Sequence, residues 1–206
     1  MENIVYKYFD VSASQKSQID LMIDVYRFWN EKINLISRKD FGYFYQRHVL
    51  HSLAICKIFD FVDGTKIMDL GTGGGFPGVP LAIMFPNVNF QLVDSINKKT
   101  KALQEIVKEL NLNNVSVVNQ RAEQVDGPFD FVVCRAVAKL NQLKSFTKGK
   151  ISNKHNHSFK NGLICLKGGD LNSEINQNQS NLQVSLISDF FEEDFFIEKK
   201  IIYLHK

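Results

Sequence analysis

The chain has 206 residues, 44% hydrophobic and 23% charged, with 25 basic and 22 acidic side chains giving a net charge of +3. That length suits one well-packed unit, no run approaches the roughly 18–20 consecutive apolar residues of a membrane span, and the start lacks a signal-peptide layout. Cys56, Cys134 and Cys165 are odd in number and too widely spaced for a zinc pattern, so neither a disulfide framework nor a metal site is expected, but reduced thiols in a cytoplasmic protein.

The first third reads as helical. Ser12 or Ser14 can cap a helix on which Ile19, Met22, Ile23, Tyr26 and Ile33 recur at helical spacing. A second helical run, Phe44 to Phe59, is expected to turn Val49, Leu53, Ile55 and Ile58 inward. Residues 1–60 therefore read as a helical cap on a core formed by residues 61–206, within one domain. From Lys66 the texture changes to short apolar runs: Lys66 to Leu70, Asn89 to Asp94, Asn114 to Asn119, Phe129 to Cys134 and Gly162 to Lys167. Helices are expected between them, at Val79 to Met84 and at about Lys98 to Leu110. Strands alternating with helices at this spacing predict a mostly parallel, twisted, Rossmann-like α/β sheet. Gln183 to Ile187 and Lys200 to Leu204 suit antiparallel strands at a sheet edge, and the polar stretch Gly149 to Asn161 reads as mobile.

Charge is segregated along the sequence. Between Ala138 and Gly169 there are seven lysines and no acid, and between Asp170 and Glu198 seven acids and no base. A basic stretch of this kind can attract a polyanion.

The chemistry concentrates in Asp69-Leu-Gly71-Thr-Gly73-Gly74-Gly75-Phe76-Pro77-Gly78. It lies between the first strand and its helix, where open parallel sheets bind ligands. Gly73-x-Gly75-x-x-Gly78 satisfies a dinucleotide fingerprint. Asp69-x-Gly71-x-Gly73-x-Gly75 is also the layout of S-adenosylmethionine sites, and Pro77 removes an N–H where a pyrophosphate would want donors. Asp94, closing the second strand, suits ribose hydroxyls in either case. Ala122 and Glu123, after the third strand, fall at the adenine position. Arg135, after the fourth, faces the donor methyl. Neither an acid- or Asn-Pro-Pro-aromatic tetrapeptide nor a Pro-Cys pair occurs there, and an acceptor whose lone pair is already available would need neither. Guanine N7 is such an atom. Catalysis would then rest on positioning and electrostatics.

Asn34-Leu-Ile-Ser37, Arg47-His48-x-x-His51-Ser52-Leu53, the glycine loop ending in Gly-Phe-Pro-Gly78 and Leu92-x-Asp94-Ser95 occur in order. Arg121-Ala-Glu123, Cys134-Arg135-Ala136 and Leu166-Lys167-Gly168-Gly169 follow. Together they resemble the glucose-inhibited division protein B family, the bacterial 16S ribosomal RNA guanine-N7 methyltransferases. His51 departs from that pattern, which often has an acid there. The resemblance implies a class I S-adenosylmethionine-dependent methyltransferase. In it Asp69, Gly71, Gly73, Phe76, Asp94, Ala122, Glu123 and Arg135 lie against the cofactor. Arg135 is the catalytic candidate, and Arg47, His48, Lys98, Lys99 and Lys167 form an RNA-facing rim. The implied partner is 16S rRNA or the small ribosomal subunit, met by a monomer without a metal. Two other readings stay open: a methyltransferase for a small molecule or protein, and a nucleotide-binding module.

Overall fold

Ser12 begins the first long helix. Its Oγ accepts from Gln15 N at 3.3 Å while Gln15 Oε1 accepts from Ser12 N at 2.9 Å, a reciprocal capping box that starts α1 (Ala13–Lys32). This is the first feature of a computed structural model that describes residues 3–176 and 179–206. Ile19, Met22, Val25 and Tyr26 bury one face of α1.

After it the chain winds a π-helix at Phe44–Leu50, a short α2 (His51–Leu53) and a 3-10 turn at Ala54–Lys57. The sequence gives no sign of the wide π winding. Ile58 lies just beyond the last turn and is exposed rather than inward.

Seven strands follow: β1 (Lys66–Leu70), β2 (Asn89–Asp94), β3 (Val115–Asn119), β4 (Phe131–Arg135), β5 (Gly162–Gly168), β6 (Leu182–Leu186) and β7 (Lys199–His205). They form one sheet in the order β3-β2-β1-β4-β5-β7-β6, with β1 to β5 parallel and β7 antiparallel to both its neighbours. The expected Rossmann-like sheet is therefore present. The tail differs in one respect: only β6 is at the edge, and β7 is inserted between β5 and β6.

The helices linking the strands are α3 (Gly78–Met84), α4 (Asn97–Glu109) and α5 (Leu140–Thr147), with a short α6 (Asn172–Asn176) after β5. Alternation along the strands divides the core, because successive side chains point to opposite faces. Phe131 and Val133 of β4 join Ile67, Phe90 and Leu92 under the N-terminal helices, α3 and α4. Val132 and Cys134 join Met68, Val93, Leu163 and Cys165 beneath α5. Cys134 and Cys165 are paired neighbours with Sγ atoms 3.3 Å apart, both buried as reduced thiols.

The stretch Gly149 to Asn161 is better packed than its polarity suggests. His157 and Phe159 stack into a ring cluster with Phe59, Phe61 and Phe131, and buried Asn161 donates to the Lys154 carbonyl at 2.8 Å. The polar composition predicted mobility, whereas these few aromatic contacts anchor the segment.

The N-terminal helices do more than cover the sheet. Tyr26 Oη donates to the Gly74 carbonyl at 2.8 Å, and Asn30 Oδ1 accepts from Leu35 N and Ile36 N. That turn lays Leu35 against Gly74, where a Cβ would come within 3.1 Å of the Leu35 oxygen. Tyr26→Phe leaves a buried carbonyl without its donor, so it is expected to lower unfolding stability by about 1–2 kcal/mol in denaturant titrations. An unchanged midpoint would show that the loop does not depend on this clamp.

Candidate functional site

The glycine loop leaves β1 at Asp69, whose fully buried carboxylate organises it. Asp69 Oδ2 accepts from Thr72 Oγ1 at 2.6 Å and from Gly78 N at 2.9 Å, tying both ends of the loop to one oxygen. Gly78 must be glycine, since a Cβ there would lie 2.2 Å from Leu92 Cδ2 and 2.7 Å from Asp69 Oδ2. Burial raises the Asp69 pKa to about 6, opposed by those two hydrogen bonds and the charge of Arg135. Asp69 thus lies beneath the loop and shapes it instead of lining the cleft above.

That cleft, of about 300 Å³, opens at the carboxyl ends of β1, β2 and β4. Gly71, Asp94, Ala122, Glu123 and Arg135 line it, five of the eight cofactor positions expected from the sequence. Gly73 is one step back: its N–H donates to Asp94 Oδ2 at 2.9 Å, and Ile96 N donates to Oδ1 at 2.8 Å. These two bonds orient the half-buried carboxylate and leave each oxygen further lone pairs for hydroxyl donors. At Gly71, with φ of +66°, a Cβ would press within 2.9 Å of Val137, so glycine keeps this wall open. Val137, two residues past Arg135 at the end of β4, also lines the cleft, as does Phe146, which nothing local in the sequence marked.

Phe76 is elsewhere. It is buried, with ring centroids of Tyr26 at 5.2 Å and His48 at 5.3 Å, and Arg135 lies over it at 5.0 Å. It supports Arg135 from below and does not line the donor-side cleft.

A second cleft, of about 530 Å³, lies on the other side of Arg135, and Arg135 and Ala136 line both. Arg135 is the hinge of the site. Its Nη1 donates to the Arg47 carbonyl at 3.2 Å, its Nη2 lies 3.0 Å from His48 Nδ1, and burial lowers its pKa to about 10. Ala136 adopts φ of +53°, a left-handed conformation that is costly for a residue with a Cβ.

Arg47, His48 and Lys167, three of the five rim positions expected from the sequence, line this second cleft. Arg47 is held by Asp40 at 2.5 Å and packs over Tyr43. Lys167 Nζ is engaged by Glu174 at 2.8 Å and by the Ala138 carbonyl at 2.9 Å. Lys98 and Lys99 begin α4 and line neither cleft. Folding also mixes the charge blocks: Asp170 and Glu174 join Lys167 in this cleft, and Lys199 and Phe195 arrive from the distal tail. No group of three or more His, Cys, Asp or Glu suited to a metal occurs among the described residues, and no helix among them is long and apolar enough to cross a membrane.

The donor-side residues fit S-adenosylmethionine. A carboxylate with lone pairs to spare closes β2, a glycine keeps the wall open, and the Arg135 cation lines the same cleft.

Comparison with known proteins agrees. Residues 15–201 match the GidB family, described as rRNA small subunit methyltransferase G. The chain is 48% identical over 202 residues to ribosomal RNA small subunit methyltransferase G of Christiangramia forsetii, covering 98% of this chain and 95% of that one. It is 49% identical over 201 residues to the protein of the same name from Bacteroides thetaiotaomicron, covering 97% and 98%. In fold it is similar to a mutant of MtNAS solved with S-adenosylmethionine, with a TM-score of 0.59, 12% identity, and 93% and 76% of the two chains covered. Sheet order, donor-side cleft and near-full-length similarity converge: the chain belongs to the GidB family of S-adenosylmethionine-dependent methyltransferases, with a class I, Rossmann-like fold.

Proposed function

We propose that this protein methylates N7 of one guanine in 16S ribosomal RNA, acting as a cytoplasmic monomer. The observation that carries this reading is the junction at Arg135–Ala136, where a donor-side cleft meets a larger one with Arg47, Lys167 and Lys199 in its wall. The relatives named above are ribosomal RNA methyltransferases, which supports an RNA acceptor over a small molecule or protein.

Bound S-adenosylmethionine supplies an electrophilic sulfonium methyl. Asp94 holds the ribose end, with Ala122 and Glu123 at the adenine. Arg135 fixes the wall between donor and acceptor, and Asp69, sealed under the loop, keeps the glycines in place. Guanine N7 carries a free lone pair, so no side chain has to remove a proton. Alignment and electrostatics therefore account for the rate.

Two variants separate the halves of the site. Asp94→Ala is expected to weaken S-adenosylmethionine binding by about 10–100-fold in calorimetry, by losing charge-assisted hydrogen bonds, in a protein that still folds but melts lower because Gly73 N and Ile96 N lose their acceptor. An unaltered dissociation constant would remove Asp94 from the donor site. Lys98→Ala with Lys99→Ala tests the outer rim. The pair is expected to weaken RNA capture and flatten its salt dependence without affecting donor affinity.

The acceptor class is tested by offering labelled donor with small-subunit RNA and, separately, with protein and small-molecule extracts. Label is expected in the RNA. Label confined to the other fractions would overturn the reading.

A further inference from the structure

Val137 and Phe146, two apolar walls of the donor-side cleft, lie on one stretch of chain: the loop after β4 and the helix α5 that continues it. Neither part of that stretch is secured from within. Ala136, where the loop leaves β4, has φ of +53°, and a strained residue of this kind persists only where its surroundings fix it. α5 opens at Leu140 with Lys139 as N-cap and no side-chain cap hydrogen bond, so its first N–H groups look to acceptors from outside the helix.

The restraint comes from Glu174 of α6, in the wall of the acceptor-side cleft. Its Oε2 accepts from Leu140 N at 2.7 Å and from Lys167 Nζ at 2.8 Å. Lys167 Nζ in turn donates to the Ala138 carbonyl at 2.9 Å. The carboxylate therefore caps the positive end of α5 from another element and, through Lys167, grips the loop just ahead of it. Both side chains are largely sealed, at 10% exposure for Lys167 and 18% for Glu174, so water competes little for these bonds. Val137 adjoins Ala138, and its methyls crowd Gly71 so closely that a Cβ there would come within 2.9 Å. A small displacement of the loop would thus reshape the donor-side cleft, although Glu174 does not line it.

We propose that Glu174 is a positioning residue for S-adenosylmethionine that acts from the acceptor side. With Lys167 it sets loop 136–139 and the start of α5, and so fixes Val137 and Phe146 in the donor-side wall. The inference rests on the donor-side cleft and is independent of which atom accepts the methyl.

The test is calorimetric titration of S-adenosylmethionine into each variant, beside a thermal melt. Glu174→Ala is expected to weaken donor affinity about 5–20-fold, the scale of losing charge-assisted hydrogen bonds that order a binding wall. Glu174→Gln keeps an oxygen for both donors and should stay within about threefold of wild type. Both variants remove the same negative charge from the acceptor-side cleft, so the difference between them reads the clamp and not the cleft's electrostatics. Lys167→Met should weaken donor binding about 3–10-fold, and adding it to Glu174→Ala should cost no more than about twofold further, because the two side chains act as one unit. A role confined to the stability of α6 would lower the melting temperature and leave the donor dissociation constant of the folded protein unchanged. The proposal is overturned if folded Glu174→Ala binds the donor within about twofold of wild type, if glutamine loses as much as alanine, or if the single losses multiply in the double variant. Should Glu174→Ala not fold, the other two single variants decide. Wild-type affinity in Glu174→Gln with a loss in Lys167→Met upholds the clamp, and equal affinities overturn it.

Discussion

Arg135→Ala is expected to lower kcat/KM for methyl transfer by about 10²–10³-fold, the scale of losing one preorganised charged group from a water-poor site. Three geometric facts concentrate the effect. The guanidinium shares the wall of both clefts, orients His48 through Nδ1, and lies over Phe76 of the glycine loop. No carboxylate pairs with it within 4.0 Å among the described residues. Its buried charge is offset instead by carbonyl and imidazole acceptors and by the fields of Asp69 and Asp40. Arg135→Lys keeps a charge without the planar fork and should fall between the wild type and alanine. Steady-state kinetics beside a thermal melt decide the matter. Activity within tenfold of wild type, in a folded Arg135→Ala protein, would show that the junction does not govern transfer.

The second large effect is a pH dependence of stability seated at Asp69. Burial raises its folded-state pKa from 3.8 to about 6. The folded protein therefore holds this proton more tightly than the unfolded chain does. The associated stability is fully present below about pH 4 and declines as pH rises through 6. A shift of about two units corresponds to roughly 3 kcal/mol. Asp69→Asn does not titrate, so the stability difference between wild type and this variant isolates the group. That difference should shift against the wild type by about 3 kcal/mol between pH 4 and pH 7, most of it below pH 6.5. Urea unfolding at a series of pH values measures it, and a flat difference would mean that the loop's donors fully offset the burial of the charge.

The strands were legible because most are short, nearly continuous apolar runs, as suits strands covered on both faces, and the alternating glycines marked the turn after β1. The helical spacing of Ile19, Met22 and Tyr26 announced α1, and of the two caps offered, Ser12 or Ser14, the structure uses Ser12. The π-helix at Phe44–Leu50 was not legible, because Arg47, His48 and Val49 have no local preference for that winding. Packing against Phe76 and Arg135 accompanies it instead. The insertion of β7 between β5 and β6 is a long-range pairing with no local signature.

The site divides along the same line. Gly71, Asp94, Ala122, Glu123 and Arg135 sit at strand ends, where the α/β rule places ligand contacts, and the structure brings them to one cleft. Asp69 and Phe76 were correctly placed at the loop, but they bury beneath it. A motif shows that a carboxylate or ring is present without showing which way it turns. Phe146, Phe195 and Lys199 reach the clefts through tertiary packing alone. Lys98 and Lys99 stand at the start of α4, outside both clefts, and the sequence shows that the charges are there without showing what they face. The lysine stretch was a weaker guide than its charge suggested, since Lys150 donates to the carbonyls of Glu123 and Val125 and Lys167 to Glu174.

The most direct measurement is methyl transfer from labelled S-adenosylmethionine to small ribosomal subunits that lack their own modifications, followed by cleavage specific for N7-methylguanine. A single cleavage site in 16S RNA, abolished by Arg135→Ala, is the predicted result. Label in the RNA without N7 cleavage, or no label from protein shown to bind the donor, would contradict it.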